Sequence, residues 1–150
     1  MAVWKPSVTV AAVIERDKKF LFVEEKFGGR LVLNQPAGHL DPGESLEHAV
    51  VREVMEETAH DFVPRQLVGV YRWFYKPKDV TYLRFCFAGV PGKHYQERKL
   101  DKEIVGLHWL SLDELKARKA QHRSPLVQKC VEDYLRGGRF PLEILSREFA

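Results

Sequence analysis

The chain has 150 residues, of which 45% are hydrophobic and 30% are charged. This length and balance are typical of one globular domain, and they exclude a disordered chain or a small disulfide scaffold. No run of about 18 apolar residues is present, so we expect no transmembrane helix. The net charge of +3 is small and the basic residues are scattered, which argues against nucleic-acid binding. We therefore expect a single domain spanning residues 1–150.

The predicted strands have alternating or continuous apolar patterns bounded by turn residues. Charged residues at 15–19 separate the first two strands and favour a hairpin. Residues 34–38 are predicted to form a loop, and Asp41-Pro-Gly43 a turn. The strands are predicted at 7–14, 20–25, 31–33, 67–75, 80–90 and 104–110.

Three helices are predicted from their starting residues. Ser45 is a plausible N-cap for a helix that continues to about Thr58, and Ser111-Leu-Asp-Glu114 is a capping box that opens a short helix. Ser124-Pro125 begins a third helix with proline at its first position, and Gly137-Gly138 ends it. Strands interspersed with helices predict an α/β protein with a mixed sheet covered by helices.

Cys86 and Cys130 both lie among apolar neighbours, so we interpret them as reduced core residues rather than as a disulfide. The N-terminus has no signal-peptide pattern. Together these features predict a cytoplasmic protein. No exposed apolar seam is evident, which favours a monomer.

The charge is unevenly distributed along the chain. Residues 38–60 contain six carboxylates and one base, Arg52, a local charge of −5 that leaves +8 for the remainder. On a helix starting after Ser45, Glu53, Glu56 and Glu57 fall on the same face as the apolar stripe. A solvated helix would place these carboxylates opposite that stripe. A cation site is therefore the favoured interpretation, because oxygen ligands suit Mg²⁺, and a solvated acidic helix is the alternative.

The segment Gly38-His-Leu-Asp-Pro-Gly-Glu44, followed after seven residues by Arg52-Glu-Val-Met-Glu-Glu57, closely resembles the signature of the Nudix family. Two positions depart from that signature: Ala59 replaces a glycine, and His60 replaces an apolar residue. A left-handed helix end suits glycine, so Ala59 puts the geometry of the helix end in question but not the ligands.

This resemblance implies the Nudix fold, an α/β/α sandwich with a mixed curved sheet between helices. It also implies hydrolysis of phosphoanhydride bonds with Mg²⁺, or with Mn²⁺. By position, Glu53, Glu56, Glu57 and the Gly38 carbonyl would be metal ligands, and Glu53 could also be the base. Arg52 would orient the helix carboxylates, and Glu44 would support the loop or an outer metal shell.

Further motifs resemble the NudJ-type branch of this family. That branch implies small nucleoside di- and triphosphates, or hydroxymethylpyrimidine and thiamine pyrophosphates, as substrates. Other Nudix substrates remain open, namely dinucleoside polyphosphates, ADP-ribose and RNA 5′ ends. A non-catalytic nucleotide-binding module is a further alternative. The motifs are residues 23–25, 34–39, 83–85, 123–127 and 140–143.

Several residues outside the signature are candidates with open alternatives. Glu103 is our candidate for an additional ligand or base, with Asp101 as the substitute, although both could be ordinary loop residues. Arg84 and Arg30 could contact phosphate or simply face solvent. Tyr71 and Trp73 alternate on one strand and could stack on a substrate ring, although a core role fits them better.

Overall fold

The computed structural model describes residues 1–146. The strands are β1 (Ser7–Arg16), β2 (Lys19–Phe27), β3 (Arg30–Asn34), β4 (Ala37–His39), β5 (His60–Tyr75), β6 (Val80–His94), β7 (Ile104–Leu110) and β8 (Phe140–Pro141). The α-helices are α1 (Leu46–Thr58), α2 (Leu112–Ala117) and α3 (Leu126–Leu135). Short 3-10 turns occur at Lys76–Lys78, Lys119–Gln121 and Leu142–Ile144.

The strands form one mixed sheet in the order β3-β2-β1-β6-β5-β8. Strand β4 pairs with β1, and β7 pairs with β2. β1 and β6 are parallel, whereas the other pairs are antiparallel. The parallel pairing brings Thr9 beside Arg84, which places one of the predicted site residues in the middle of the sheet.

Helices cover both faces of the sheet, because β1 is apolar on both sides. Val10 and Ile14 pack in one core with Val50 and Val54 of α1. Val13 packs in a second core on the opposite face, together with residues of α3. The structure thus confirms the predicted α/β/α arrangement with a mixed sheet.

The predicted helix starts agree with the structure. The Ser45 hydroxyl accepts a hydrogen bond from the backbone N–H of His48 at 3.1 Å, and Ser111 forms the predicted capping box with Glu114. Helix α3 begins one residue later than expected, with Pro125 in the N-cap position. None of the helices in residues 1–146 is long and apolar enough to cross a membrane.

Two strand predictions were wrong in extent. β5 begins at His60, because irregular pairing on either side of Pro64 lets the strand pass a residue that usually breaks a ladder. β4 forms inside the predicted loop, because it finds its partner, β1, far away in the sequence. Both cysteines are buried free thiols, as predicted.

Candidate active site

Helix α1 carries buried carboxylates on the same side as its apolar residues. Ala49, Val50 and Val54 are fully buried against the sheet. Glu53 and Glu57 follow on that face, and each is only 8% exposed. The side chains therefore lie where the helical periodicity predicted them.

A group of three carboxylates forms at the end of this helix. Oxygen atoms of Glu53, Glu56 and Asp101 lie within 4.8 Å of one another. The backbone N–H of Asp101 donates to the Glu56 carbonyl at 3.0 Å, which fixes the loop against the helix. Asp101 rather than Glu103 belongs to this group. Glu103 is exposed, and its backbone carbonyl accepts a hydrogen bond from Lys26.

Burial makes the ionised forms of two of the glutamates costly. It raises the pKa of Glu53 to about 7, even though Arg52 lowers it. It raises the pKa of Glu57 to about 9, with further contributions from the neighbouring carboxylates of Glu25 and Glu53. Glu57 is held by the backbone N–H of Ala37, which donates to its Oε1 at 2.9 Å.

Arg52 is the cation that organises this region. Its Nη1 lies 2.8 Å from Glu53 Oε1 and 3.2 Å from Glu56 Oε2, and its Nη2 lies 2.6 Å from Glu44 Oε1. Glu44 also accepts a hydrogen bond from the backbone N–H of Asp41, which closes the turn before the helix. These contacts lower the pKa of Glu44 and raise that of Arg52.

The donor set fits a hard divalent cation. Glu53, Glu56 and Asp101 offer carboxylate oxygens close together, which Mg²⁺ and Mn²⁺ accept as ligands. Gly38 lies against Glu53 so closely that a Cβ at Gly38 would overlap its carboxylate. A glycine is therefore needed for the loop to approach the buried acid. Glu57, another predicted ligand, is bonded to Ala37 and lies outside the three-carboxylate group.

A cavity of about 390 Å³ opens beside the carboxylates. Arg84 lines it and is only 6% exposed. The lining also includes Glu53, Glu57, Trp73 and Tyr82. The cavity thus has an acidic side on α1 and a guanidinium on β6.

The two predicted aromatic residues, Tyr71 and Trp73, lie in different surroundings in the structure. Trp73 lines the cavity and stacks on Tyr82, with ring centroids 5.8 Å apart. Tyr71 instead packs against the core on the α3 side and donates a hydrogen bond to Asp133 at 2.7 Å. Arg30 also lies outside the cavity lining, and its Nη1 donates to the Ala120 carbonyl at 3.0 Å.

Some cavity residues received no individual role from the sequence. Asn34 and Arg123 line the cavity, and Gln35 lies buried next to Arg84. Arg123 is paired with Glu25, with its Nη1 2.6 Å from Glu25 Oε1. These residues fall in the segments that resembled the NudJ-type branch, so their motifs were the available signal.

Comparison with known proteins agrees with this geometry. The NUDIX domain model matches residues 5–130. Phosphatase NudJ from Shigella boydii is 37% identical over 143 residues, covering 95% of this chain and 92% of the relative, and Phosphatase NudJ from Escherichia coli K12 has the same values. A NUDIX hydrolase from Nitrosomonas europaea is 54% identical with a TM-score of 0.92, covering 95% of this chain and 97% of that one.

The α/β/α sandwich and the acidic residues of α1 define a class of hydrolases. It is the class that the sequence signature had already indicated. The chain belongs to the Nudix family. It is accordingly an enzyme, a Nudix hydrolase, as the sequence predicted. A MutT NUDIX hydrolase from Burkholderia pseudomallei, 21% identical with a TM-score of 0.71 over 87% of this chain and 98% of that one, shares the fold.

Proposed function

We propose that this Nudix hydrolase uses Mg²⁺, or Mn²⁺, to cleave phosphoanhydride bonds in small substrates. The substrate class we propose is nucleoside di- and triphosphates, or hydroxymethylpyrimidine and thiamine pyrophosphates. The similarity to Phosphatase NudJ over most of both chains supports the release of phosphate. The cavity of about 390 Å³ also suits a small ligand, since such sites commonly measure about 300–1,000 Å³.

The observation that carries the proposal is the combination of opposite charges around one cavity. Glu53 lines the cavity and also belongs to the three-carboxylate group. Arg84 lines the same cavity. A phosphoanhydride needs its oxygens neutralised and a nucleophilic water activated, and a cation held by carboxylates supplies both. Arg84 is suited to bind a phosphate oxygen.

We assign roles to the individual residues as follows. Glu53 and Glu56 would hold the cation, with Asp101 in the position that the sequence assigned to Glu103. Glu53 is also our candidate for the base, because it lines the cavity and also belongs to the three-carboxylate group. Arg52 would keep Glu53 and Glu56 in place.

Three further predicted residues have supporting roles in this proposal. The Gly38 carbonyl and Glu57 remain candidate ligands, for which Glu57 would have to give up its bond to Ala37. Trp73 would contact the organic part of the substrate, because its ring lines the cavity. Glu44 would act through Arg52, since the two are directly paired.

The test is a substrate panel in which orthophosphate and pyrophosphate are detected separately, with Mg²⁺, Mn²⁺ or EDTA. We expect metal-dependent release of phosphate from small di- and triphosphates and pyrophosphates. ADP-ribose, dinucleoside polyphosphates and capped RNA serve as larger substrates. Preferential turnover of these larger substrates would contradict the proposed class, and turnover in EDTA would contradict the metal requirement.

We also propose that the enzyme acts as a single-domain monomer in the cytoplasm. The buried free thiols of Cys86 and Cys130 fit a reducing compartment. Size-exclusion chromatography with light scattering measures the mass of the protein in solution and so tests whether it is a monomer. A mass near twice the 17.4 kDa of the chain would contradict it.

A further inference from the structure

Arg84 is a buried cation whose two closest partners are the neutral amides of Asn34 and Gln35. Its Nη1 donates to Gln35 Oε1 and its Nη2 donates to Asn34 Oδ1, each at 2.9 Å. The Sγ of Cys130 lies 3.9 Å from Nη1. Within residues 1–146, no carboxylate forms an ion pair with this guanidinium.

A buried charge normally requires a counter-charge, because desolvation is costly. The other arginine that lines this cavity, the half-buried Arg123, has such a counter-charge, since it is paired with Glu25. Arg84 has two amide oxygens instead. Each oxygen accepts a hydrogen bond from one terminal nitrogen, Nη1 or Nη2, and the two bonds hold the guanidinium in place. Because neither oxygen is charged, the positive charge remains available to an anion in the cavity.

The two amides are themselves fixed by the fold. Gln35 is 1% exposed, and its Nε2 donates to the Val127 carbonyl at 2.6 Å, which connects it to α3. Asn34 is 4% exposed and ends β3, which pairs with β2. The neighbouring Pro36 carbonyl accepts a hydrogen bond from the Ala12 N–H at 3.0 Å. The acceptors for Arg84 thus lie at the end of β3 and in its connection to β4, which hydrogen bonds to α3 and β1 hold in place.

We propose that Asn34 and Gln35 are positioning residues that hold Arg84 as an unneutralised phosphate-binding cation. Their neutrality is the property that matters in this proposal, because a carboxylate in either place would keep the hydrogen bond but cancel the charge. This inference rests on the proposed function, in that it identifies how the same cavity recognises phosphate. It adds that amide side chains outside the acidic helix determine the strength of that recognition.

The decisive comparison is between Asn34→Asp and Asn34→Ala. Asn34→Asp keeps an acceptor for Arg84 and adds a negative charge, whereas Asn34→Ala removes the acceptor and leaves the charge of Arg84 unchanged. A purely structural role predicts that Asn34→Asp is the milder substitution. Our proposal predicts that Asn34→Asp weakens anion binding more than Asn34→Ala does. For thermal stability it also predicts that Asn34→Asp is the milder substitution.

The measurement is calorimetric binding of methylenediphosphonate, a non-hydrolysable pyrophosphate analogue, to the full chain with Mg²⁺ present. We expect Asn34→Asp to weaken binding by about ten-fold or more, and by more than Asn34→Ala. Gln128→Glu adds the same charge to α3 outside the cavity lining and should bind like the wild type. Thermal melting of each variant reports the stability order separately.

Several outcomes would overturn the inference. Wild-type protein that fails to bind methylenediphosphonate would do so, as would Asn34→Asp that binds as tightly as Asn34→Ala. Failure of the proposed function has a different signature. In that case no member of the substrate panel is hydrolysed, while methylenediphosphonate binding still follows the expected order and the anion site stands.

Discussion

Arg52 and Arg84 serve the same cavity region in opposite electrostatic surroundings. Arg52 lies within 3.3 Å of carboxylate oxygens of Asp41, Glu44, Glu53 and Glu56. Arg84 is bonded to two amides and lies near a thiol. The charge of Arg52 is thus neutralised within the protein by carboxylates, which it holds together although they repel one another. The charge of Arg84 is left for a ligand.

This difference separates two tasks that a phosphoanhydride hydrolase must perform. At the α1 side, carboxylates must lie close together and be ionised when they hold a cation. At the β6 side, a cation must stay unneutralised so that it can hold a phosphate. Substitutions on the two sides should therefore change different kinetic constants.

The largest effect is expected from Glu56→Gln. Loss of one cation ligand should lower kcat by about 100-fold or more while the protein still folds, because the side chain is only partly buried. Turnover at saturating Mg²⁺, together with a thermal melt, checks this expectation. Glu97→Gln, in an exposed loop, is the matched control. Unchanged turnover of Glu56→Gln would remove the assigned role of the carboxylate group.

Arg84→Gln should raise KM by about 10- to 100-fold and change kcat much less, because it removes a charge-assisted hydrogen bond to phosphate. Arg52→Gln should instead lower kcat and stability together, since it leaves several carboxylates without their shared cation. Initial-rate kinetics on both variants measure the contrast. If Arg84→Gln affected kcat alone, the assignment of phosphate binding to that side would fail.

The pH dependence of stability should arise at the α1 side. In the metal-free protein the pKa values are about 7 for Glu53 and about 9 for Glu57, raised from 4.5. Protonation is thus favoured in the folded state, so these groups stabilise the fold below pH 4.5. That contribution is lost as pH rises through 7 and 9. We expect the melting temperature in EDTA to fall as the pH rises over this range, and Mg²⁺ to restore it.

Glu57→Gln isolates one part of this dependence. Glutamine keeps an acceptor for the Ala37 N–H but cannot ionise. The metal-free variant should gain on the order of 1–3 kcal/mol of stability above neutral pH relative to wild type. Asp133→Asn, at an acid whose pKa is lowered by Lys129 and Tyr71, is a control that should lose stability instead. Equal pH profiles for wild type and Glu57→Gln would show that ionisation of Glu57 does not cause the loss of stability.

The smallest effect is expected at the end of α1. Ala59 has φ 56°, in the left-handed region, and its N–H donates to the Met55 carbonyl at 2.9 Å. Ala59→Gly should relieve strain and stabilise the protein by up to about 1 kcal/mol, with activity unchanged. Chemical denaturation measures the change. A loss of activity would show that the alanine methyl group helps to fix the carboxylates.

The acidic side of the site was predictable from the sequence, because it depends on local periodicity. Thirteen residues of one helix determine where Glu53 and Glu57 point relative to Val50 and Val54. Helical geometry and an N-cap are enough to reach these conclusions without tertiary contacts. The sequence left the geometry of the helix end at Ala59 open, and the structure places this residue in the left-handed conformation.

The Arg84 side could not be predicted in the same way. Arg84 and its amide partners are about 50 residues apart in sequence, and strand pairing through β1 brings them together. The sequence left open whether Arg84 contacts phosphate or faces solvent, because the pattern of its own strand carries no information on its surroundings. Asp101 was placed below Glu103 as a candidate ligand or base for a similar reason. A long-range backbone hydrogen bond to α1 fixes the loop of Asp101, and the sequence does not show this bond.

The same loop is attached to the helix at two points. The Tyr95 N–H donates to the Ala59 carbonyl at 2.8 Å, and the Asp101 N–H donates to the Glu56 carbonyl. The intervening residues 96–100 can therefore change in length without moving either attachment. We expect this stretch to accept inserted residues, or a short peptide tag, while Asp101 keeps its distance from Glu53 and Glu56. It offers a position for a reporter group close to the active site.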